Sequence, residues 1–133
     1  RIGDRVSASD NYAQALRQGE AIKAPAQQIP VLVNLGVLNS ELREHEQAIE
    51  NYYQALKLMA EIDDFRYQPP VLFNLAATLN GQKRYTEGLR VFEQVEAMIN
   101  DQWPSSRTAQ VYAGLAAAHT GLQQYDQADK YAV

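Results

Sequence analysis

The feature that most restricts the fold of this chain is a repeat with a period of forty residues. Residues 11–36 align without a gap on residues 51–76, and 12 of the 26 aligned positions are identical. Ordinary composition would give roughly one or two identities over such a length. A further step of forty aligns residues 71–93 with 111–133, where 6 of 23 positions are identical. Self-similarity at this period indicates a chain built from stacked copies of one supersecondary unit.

The pattern within each unit is helical. Leu32 and Leu35 belong to an apolar stripe with spacing i, i+3, i+4, i+7, and Leu72 and Leu75 repeat that stripe forty residues later. A second amphipathic stretch follows each first one, and no period-2 run of β-branched residues indicates a strand. These patterns predict an all-α protein with about seven helices, over 4–22, 30–42, 46–61, 70–80, 85–99, 106–120 and 125–133.

Residues at the predicted helix ends support these limits. Pro30 and Pro70 each precede an apolar stripe, as expected for proline in a first helical turn. Gly81 and Gly121 are predicted to end their helices in the left-handed conformation, which glycine adopts without steric cost. Ser105 or its neighbour Ser106 is predicted to cap the helix that follows.

Each unit is therefore predicted to be a pair of antiparallel helices, which cannot bury its apolar stripes without a neighbouring pair. The predicted organisation is a single array of a partial unit, two full units and a partial unit, over 1–28, 29–68, 69–108 and 109–133. Because both outer units are incomplete, we expect the chain to be a piece of a longer protein. Apolar surface at the ends of a cut array would favour self-association.

Composition excludes several classes of function. The net charge is −4, which argues against nucleic acid and anionic membranes as partners. No apolar run reaches the roughly 18–20 residues that a membrane helix needs. The absence of cysteine excludes a disulfide scaffold, a thiol nucleophile and cysteine-ligated metals. It fits cytoplasm or periplasm, of which cytoplasm is favoured.

With its repeats in register, the chain resembles the tetratricopeptide repeat (TPR) superfamily. The Leu-Gly/Ala pair of the family's first helix corresponds to Leu35-Gly36, Leu75-Ala76 and Leu115-Ala116. The small residue and the later aromatic residue of its second helix correspond to Ala48, Gly88, Ala128, Tyr52 and Phe92. The period exceeds the family's usual length of about 34 residues. Longer units of this kind are similar to TPR-like arrays of bacterial regulators and of kinesin light chains.

The resemblance implies a right-handed superhelix whose first helices line a concave, peptide-binding groove. Asn34 and Asn74 occupy equivalent places there, and an amide can pair with both polar groups of a peptide unit. The simpler alternative is that both side chains bond to their local backbone. Four further residues are predicted to form an apolar floor: Val33, Val37, Phe73 and Ala77. No lysine or arginine occupies the predicted groove, which disfavours a carboxylate-binding clamp.

No pattern indicates catalysis, a metal or a cofactor. His45 and His119 lie apart and without acidic neighbours at metal-binding spacing, so both are interpreted as structural. Asp63 and Asp64 are interpreted as turn residues, as are Asn100 and Asp101. The favoured function is a non-catalytic module that binds a protein or peptide segment within a larger bacterial regulatory protein. The alternatives are a spacer or oligomerisation segment without a ligand, and a non-catalytic part of a signalling enzyme.

Overall fold

The computed structural model describes residues 24–123. Within this range the chain is all-α, without strands, and contains five helices: α1 (Pro25–Glu41), α2 (His45–Ile62), α3 (Gln68–Gly81), α4 (Tyr85–Glu96) and α5 (Ser105–Gly121). The helices predicted over 4–22 and 125–133 lie outside the described residues. The expectation of an all-α fold is confirmed for the part of the chain that the structure describes.

The chain divides into two compact units, Arg1–Val71 and Leu72–Val133. In the first unit α1 packs against α2. The buried apolar residues of this pair include Leu32 and Leu35 of α1 and Ala48, Ile49, Tyr52, Ala55 and Met59 of α2. The Tyr52 ring lies against Gly36 of α1, where an added Cβ would stand only 2.5 Å from its Cε1. Glycine at position 36 therefore permits the close approach of α1 and α2.

The second unit contains most of α3, with α4 and α5. Its core is apolar and is made by Leu72, Leu75, Leu79, Val91, Phe92, Val95, Val111, Leu115 and Ala118. The ring of Phe92, only 2% exposed, meets Phe73 of α3 edge to face, with 5.7 Å between ring centroids. On another side the ring touches Gly114 of α5, where an added Cβ would overlap it. Phe92 thus joins all three helices of this unit.

The turns after α1, α3 and α5 repeat the same backbone conformation. Their left-handed residues, which are spaced forty residues apart and have φ near +60°, are Arg43, Lys83 and Gln123. The N–H of Lys83 donates to the carbonyl of Asn80 at 2.9 Å, and the N–H of Arg84 donates to Leu79, also at 2.9 Å. This pair of bonds is a Schellman closure, in which main-chain groups alone end the helix.

The prediction that Gly81 and Gly121 take the left-handed conformation is wrong. No described glycine has a positive φ, and both glycines are the last residues of their helices. The left-handed position falls two residues later, because the helix continues until its last carbonyls meet the N–H groups of the turn. The side chain at that position costs about 1 kcal/mol relative to glycine.

Two predicted helix starts also differ from the structure. Helix α1 begins at Pro25, so Pro30 lies inside the helix rather than in its first turn. Helix α3 begins two residues before the predicted start, at Gln68. Pro70 is its third residue, so the prediction that Pro70 lies in a first helical turn is confirmed. The predicted serine cap of α5 is wrong, because the N-cap is Pro104 and no side chain caps the helix.

Replacing Lys83 with glycine should stabilise the protein by about 0.5–1 kcal/mol, because glycine removes the strain of the left-handed side chain. Urea denaturation measures the effect. Gln82→Gly, at the preceding position where φ is not positive, should instead lower the free energy of unfolding. A loss of stability in Lys83→Gly would contradict the strain argument.

Candidate functional site

Charge is separated between the two kinds of helix. Residues 25–40, 68–81 and 108–121, which make up nearly all of α1, α3 and α5, contain no Asp, Glu, Lys or Arg. Helices α2 and α4 carry eight such residues: Glu46, Glu50, Lys57, Glu61, Glu87, Arg90, Glu93 and Glu96. The solvent-accessible sides of these three segments, here called the first-helix faces, therefore bear no fixed charge. The charged residues of the same helices are Glu41 at the end of α1 and Arg107 in the first turn of α5.

In the first unit, the first-helix face includes Val33, Asn34 and Val37 of α1. Val33 is half-buried, whereas Asn34 and Val37 are exposed, Val37 to 37%. The Asn34 amide forms no side-chain hydrogen bond with residues 24–123. Within the described residues the amide is not engaged, and the alternative of a local bond to backbone has no support at this position.

In the second unit, the first-helix face includes Phe73, Asn74 and Ala77 of α3. Phe73 is half-buried because its ring packs on Phe92, and Ala77 is exposed. The side-chain amide of Asn74 is half-buried and has no hydrogen bond within the described range. The carbonyl of Asn74 accepts from the hydroxyl of Thr78 at 2.8 Å. Helix α5 adds two exposed alanines, Ala113 and Ala117.

The structure brings Val33, Asn34 and Val37 together on one helix, and Phe73, Asn74 and Ala77 on another. Asn34 and Asn74 belong to different compact units. That both side chains bind the backbone of one peptide stays a prediction.

Two polar residues near the ends of α1 and α3, Ser40 and Asn80, form hydrogen bonds within the fold. Asn80 donates from Nδ2 to the carbonyl of Gly114 at 3.0 Å, which ties α3 to α5. Burial raises the pKa of the Tyr52 phenol, and a hydrogen bond with Ser40 partly offsets this rise. The side chains of Ser40 and Asn80 are therefore engaged within their own units.

Gly114 occupies the third position of the predicted asparagine series, and the structure explains why no amide stands there. The ring of Phe92 fills the space that any side chain at position 114 would need. The aromatic residue at 92 was visible in the sequence, but nothing in the sequence showed that its ring faces α5. The repeat register does not predict that Phe92 contacts Gly114.

The described residues contain no group of three or more His, Cys, Asp or Glu that could hold a metal ion. His45 is half-buried at the first position of α2, and His119 is buried in the last turn of α5. No helix within residues 24–123 is long and apolar enough to span a membrane.

The acidic and amide residues of the connections act in turns, as predicted. Asp63 ends α2 in the left-handed conformation, with a φ of 54°. The carboxylate of Asp64 accepts the backbone N–H of Arg66 at 3.2 Å, and Asn100 Oδ1 accepts that of Gln102 at 2.8 Å. These contacts account for the conformation of both connections.

Trp103 is half-buried in the connection before α5. The guanidinium carbon of Arg107 lies 5.4 Å from the centre of a Trp103 ring, within the range of a cation–π contact. This arrangement covers one side of the tryptophan.

Comparison with known proteins identifies one repeat directly. Residues 29–60, which include most of α1 and α2, match the family model of the tetratricopeptide repeat. No curated protein matches the chain in sequence. The matched segment contains Asn34, Val33 and Val37.

Solved structures share the fold at low sequence identity. BtubC (BKLC) from P. vanneervenii has a TM-score of 0.85 and 17% identity, over 98% of this chain and 54% of its own. A putative kinesin light chain from Podosopora anserina, with nearly identical TPR-like repeats, has a TM-score of 0.77 and 16% identity, over 97% of this chain and 64% of its own. MamA from Desulfovibrio magneticus RS-1 has a TM-score of 0.65 and 21% identity, over 98% of this chain and 73% of its own. The chain thus spans about half the length of BtubC, and these likenesses show the fold alone.

Proposed function

We propose that this chain, assigned to the tetratricopeptide repeat superfamily by its matched repeat and its fold, is a non-catalytic module that binds protein segments. TPR repeats generally bind protein partners, and their fold is typically non-catalytic. The bound segment lies on the first-helix faces. The module belongs to a larger bacterial regulatory protein, as its interaction or sensing part.

The observation that carries the proposal is the uncharged surface with two amides that have no hydrogen-bond partner among residues 24–123. Asn34 and Asn74 offer a donor and an acceptor each, beside the apolar side chains of Val37 and Phe73. Such a surface suits an extended or helical segment that presents apolar side chains and backbone polar groups. The absence of cations on α1 and α3 disfavours ligands recognised through a terminal carboxylate.

The alternative is a spacer or oligomerisation segment, in which the first-helix faces are covered by other parts of the parent protein. The apolar residues of these faces support this reading equally well. The partner-free amides favour the binding module, because a permanently covered face would leave them buried and unsatisfied unless its cover supplied hydrogen bonds. A third reading, a non-catalytic part of a signalling enzyme, differs only in the rest of the parent protein.

The binding experiment uses a peptide selected against the chain from a displayed random library. We expect the double change Asn34→Ala and Asn74→Ala to weaken binding of that peptide about tenfold, since two amide–backbone hydrogen bonds are worth about 1–2 kcal/mol together. Isothermal titration calorimetry measures the affinity. The side chains removed are exposed or half-buried, so the fold should persist.

The matched control is the double change Gln54→Ala and Gln94→Ala. These amides are exposed, lie forty residues apart and belong to the charged helices α2 and α4. Their removal should leave affinity unchanged. If loss of the asparagines changes binding by less than about 0.3 kcal/mol, the role of these amides is refuted. If no peptide is selected and sedimentation shows concentration-dependent oligomers, the spacer reading is supported.

A further inference from the structure

The connection between α2 and α3 presents two aromatic side chains to solvent. Phe65 is 45% exposed and Tyr67 is 38% exposed, which places both among the most exposed large apolar residues of the described range. The connection before α5 differs, since its Trp103 is half-buried beneath Arg107. We call residues 63–67 the aromatic loop.

Main-chain hydrogen bonds hold the aromatic loop in one conformation. The N–H of Asp64 donates to the carbonyl of Met59 at 3.0 Å, and the N–H of Gln68 donates to that of Phe65 at 3.1 Å. Inside the loop, Asp64 Oδ1 accepts the N–H of Arg66. A pre-organised loop loses little conformational entropy on binding, which favours its use as a contact surface.

The charge of Arg66 is neutralised within the loop. Its Nε donates to Asp64 Oδ1 at 2.9 Å and its Nη2 donates to Oδ2 at 2.6 Å. These bonds lower the pKa of the Asp64 carboxyl, so the pair is fully ionised and internally balanced at neutral pH. The other charged residues of segment 61–67 are Glu61 and Asp63, and both are exposed. With the Asp64–Arg66 pair balanced, the segment that contains Phe65 and Tyr67 therefore carries net negative charge.

Aromatic faces attract cations through their quadrupole, and neighbouring carboxylates add to that attraction. We propose that the aromatic loop is a docking site for a protein segment that carries arginine or lysine. An anionic membrane surface fits less well, because Glu61 and Asp63 would be repelled by it. This site uses none of the first-helix residues, so it stands or fails independently of the proposed function.

The test titrates the isotopically labelled chain with two capped peptides that differ only in two arginines replaced by two glutamines. NMR chemical shifts of the amides of residues 61–67 report binding. We expect the arginine peptide to move these signals, and Phe65→Ser with Tyr67→Ser to weaken its binding about fivefold or more. Tyr53→Ser, which removes an equally exposed aromatic from α2, should leave binding unchanged.

Charge variants separate local recognition from the general attraction between a basic peptide and an acidic protein. Arg66→Gln leaves Asp64 without its counter-charge and should tighten binding of the arginine peptide about twofold. Arg43→Gln removes one positive charge from the same unit at the opposite end of α2, about 27 Å along the helix from the loop, and should have a smaller effect. Equal effects of the two changes would indicate non-local attraction and overturn the proposal.

Three other outcomes would also overturn it. The first is that the glutamine peptide shifts the same signals equally, which would show that cations are not recognised. The second is that the arginine peptide leaves the signals of residues 61–67 unmoved at millimolar concentration. The third is that vesicles rich in phosphatidylserine bind the chain through the loop while the peptide does not, which would identify a lipid surface as the partner.

Discussion

Replacing Gly114 with alanine should destabilise the protein by about 2–3 kcal/mol, although alanine is the better helix former. The added Cβ would overlap three atoms of the Phe92 ring. That ring cannot withdraw easily, because it is 2% exposed and rests on Phe73. Overpacking should therefore outweigh the gain of about 1 kcal/mol in helix propensity. Urea denaturation measures the difference.

Gly81→Ala is the matched control for this change. Gly81 also belongs to a helix of the second unit, but nothing lies within 4 Å of its would-be Cβ. This variant should be as stable as the original or more stable, by up to about 1 kcal/mol. Phe92→Leu should make Gly114→Ala less harmful, because a smaller side chain leaves room for the methyl group. An equal cost in both backgrounds would refute the steric explanation.

Replacing Gly88 with alanine should cost about 2 kcal/mol, against a gain of about 1 kcal/mol expected from helix propensity alone. The new Cβ would collide with Oδ1 of Asn80 and stand 3.3 Å from its backbone nitrogen. The amide of Asn80 would have to move, which would break its hydrogen bond to the carbonyl of Gly114. That carbonyl and the amide would then lose their partners.

The first unit supplies the compensating change. Its equivalent residues are Ser40 and Ala48, forty positions before Asn80 and Gly88, and Ala48 is fully buried without a clash. Adding Asn80→Ser to Gly88→Ala should recover about 1 kcal/mol, because serine is too short to reach the new methyl group. Additive effects of the two substitutions would show that Gly88 is required for another reason.

Much of the fold was predictable because apolar side chains specify helices strongly. Leu35, Leu75 and Leu115 are all buried at equivalent points, as the repeat required. The limits of α2 to α5 differ from the prediction by at most three residues. The start of α1 differs by five, because Pro30 was taken as a first-turn proline. Proline is tolerated in the first turn of a helix, but its presence does not require that a helix begin there.

The features that were predicted wrongly or missed have two physical causes. Some are set by contacts between residues distant in sequence, and others are set by hydrogen bonds of the backbone rather than by side chains. The amide of Asn80 bonds to Gly114, 34 residues away, and the repeat register did not predict this contact. Gly88 was matched to the small residue of the family's second helix, but the sequence did not show that the space it leaves is occupied by Asn80. The turn prediction failed because main-chain hydrogen bonds, rather than glycine, close the helices.

The candidate site was predicted in part. The residue types and uncharged character of α1 and α3 were visible in the sequence. The sequence did not show which amides form hydrogen bonds within the fold. Asn80 forms one with the carbonyl of Gly114, whereas Asn34 forms none with the described residues. The exposure of Phe65 and Tyr67 was also hidden, because aromatic residues in a connection pack inward as often as they face solvent.

The separation of charge between helices has a consequence for the conditions under which the protein works. Screening by dissolved ions weakens contacts between charged groups but leaves apolar and amide contacts nearly unaltered. Residues 25–40 and 68–81 also contain no side chain that titrates near neutrality. A complex formed there should keep its strength across the swings of salinity and acidity that dissociate ion-paired assemblies.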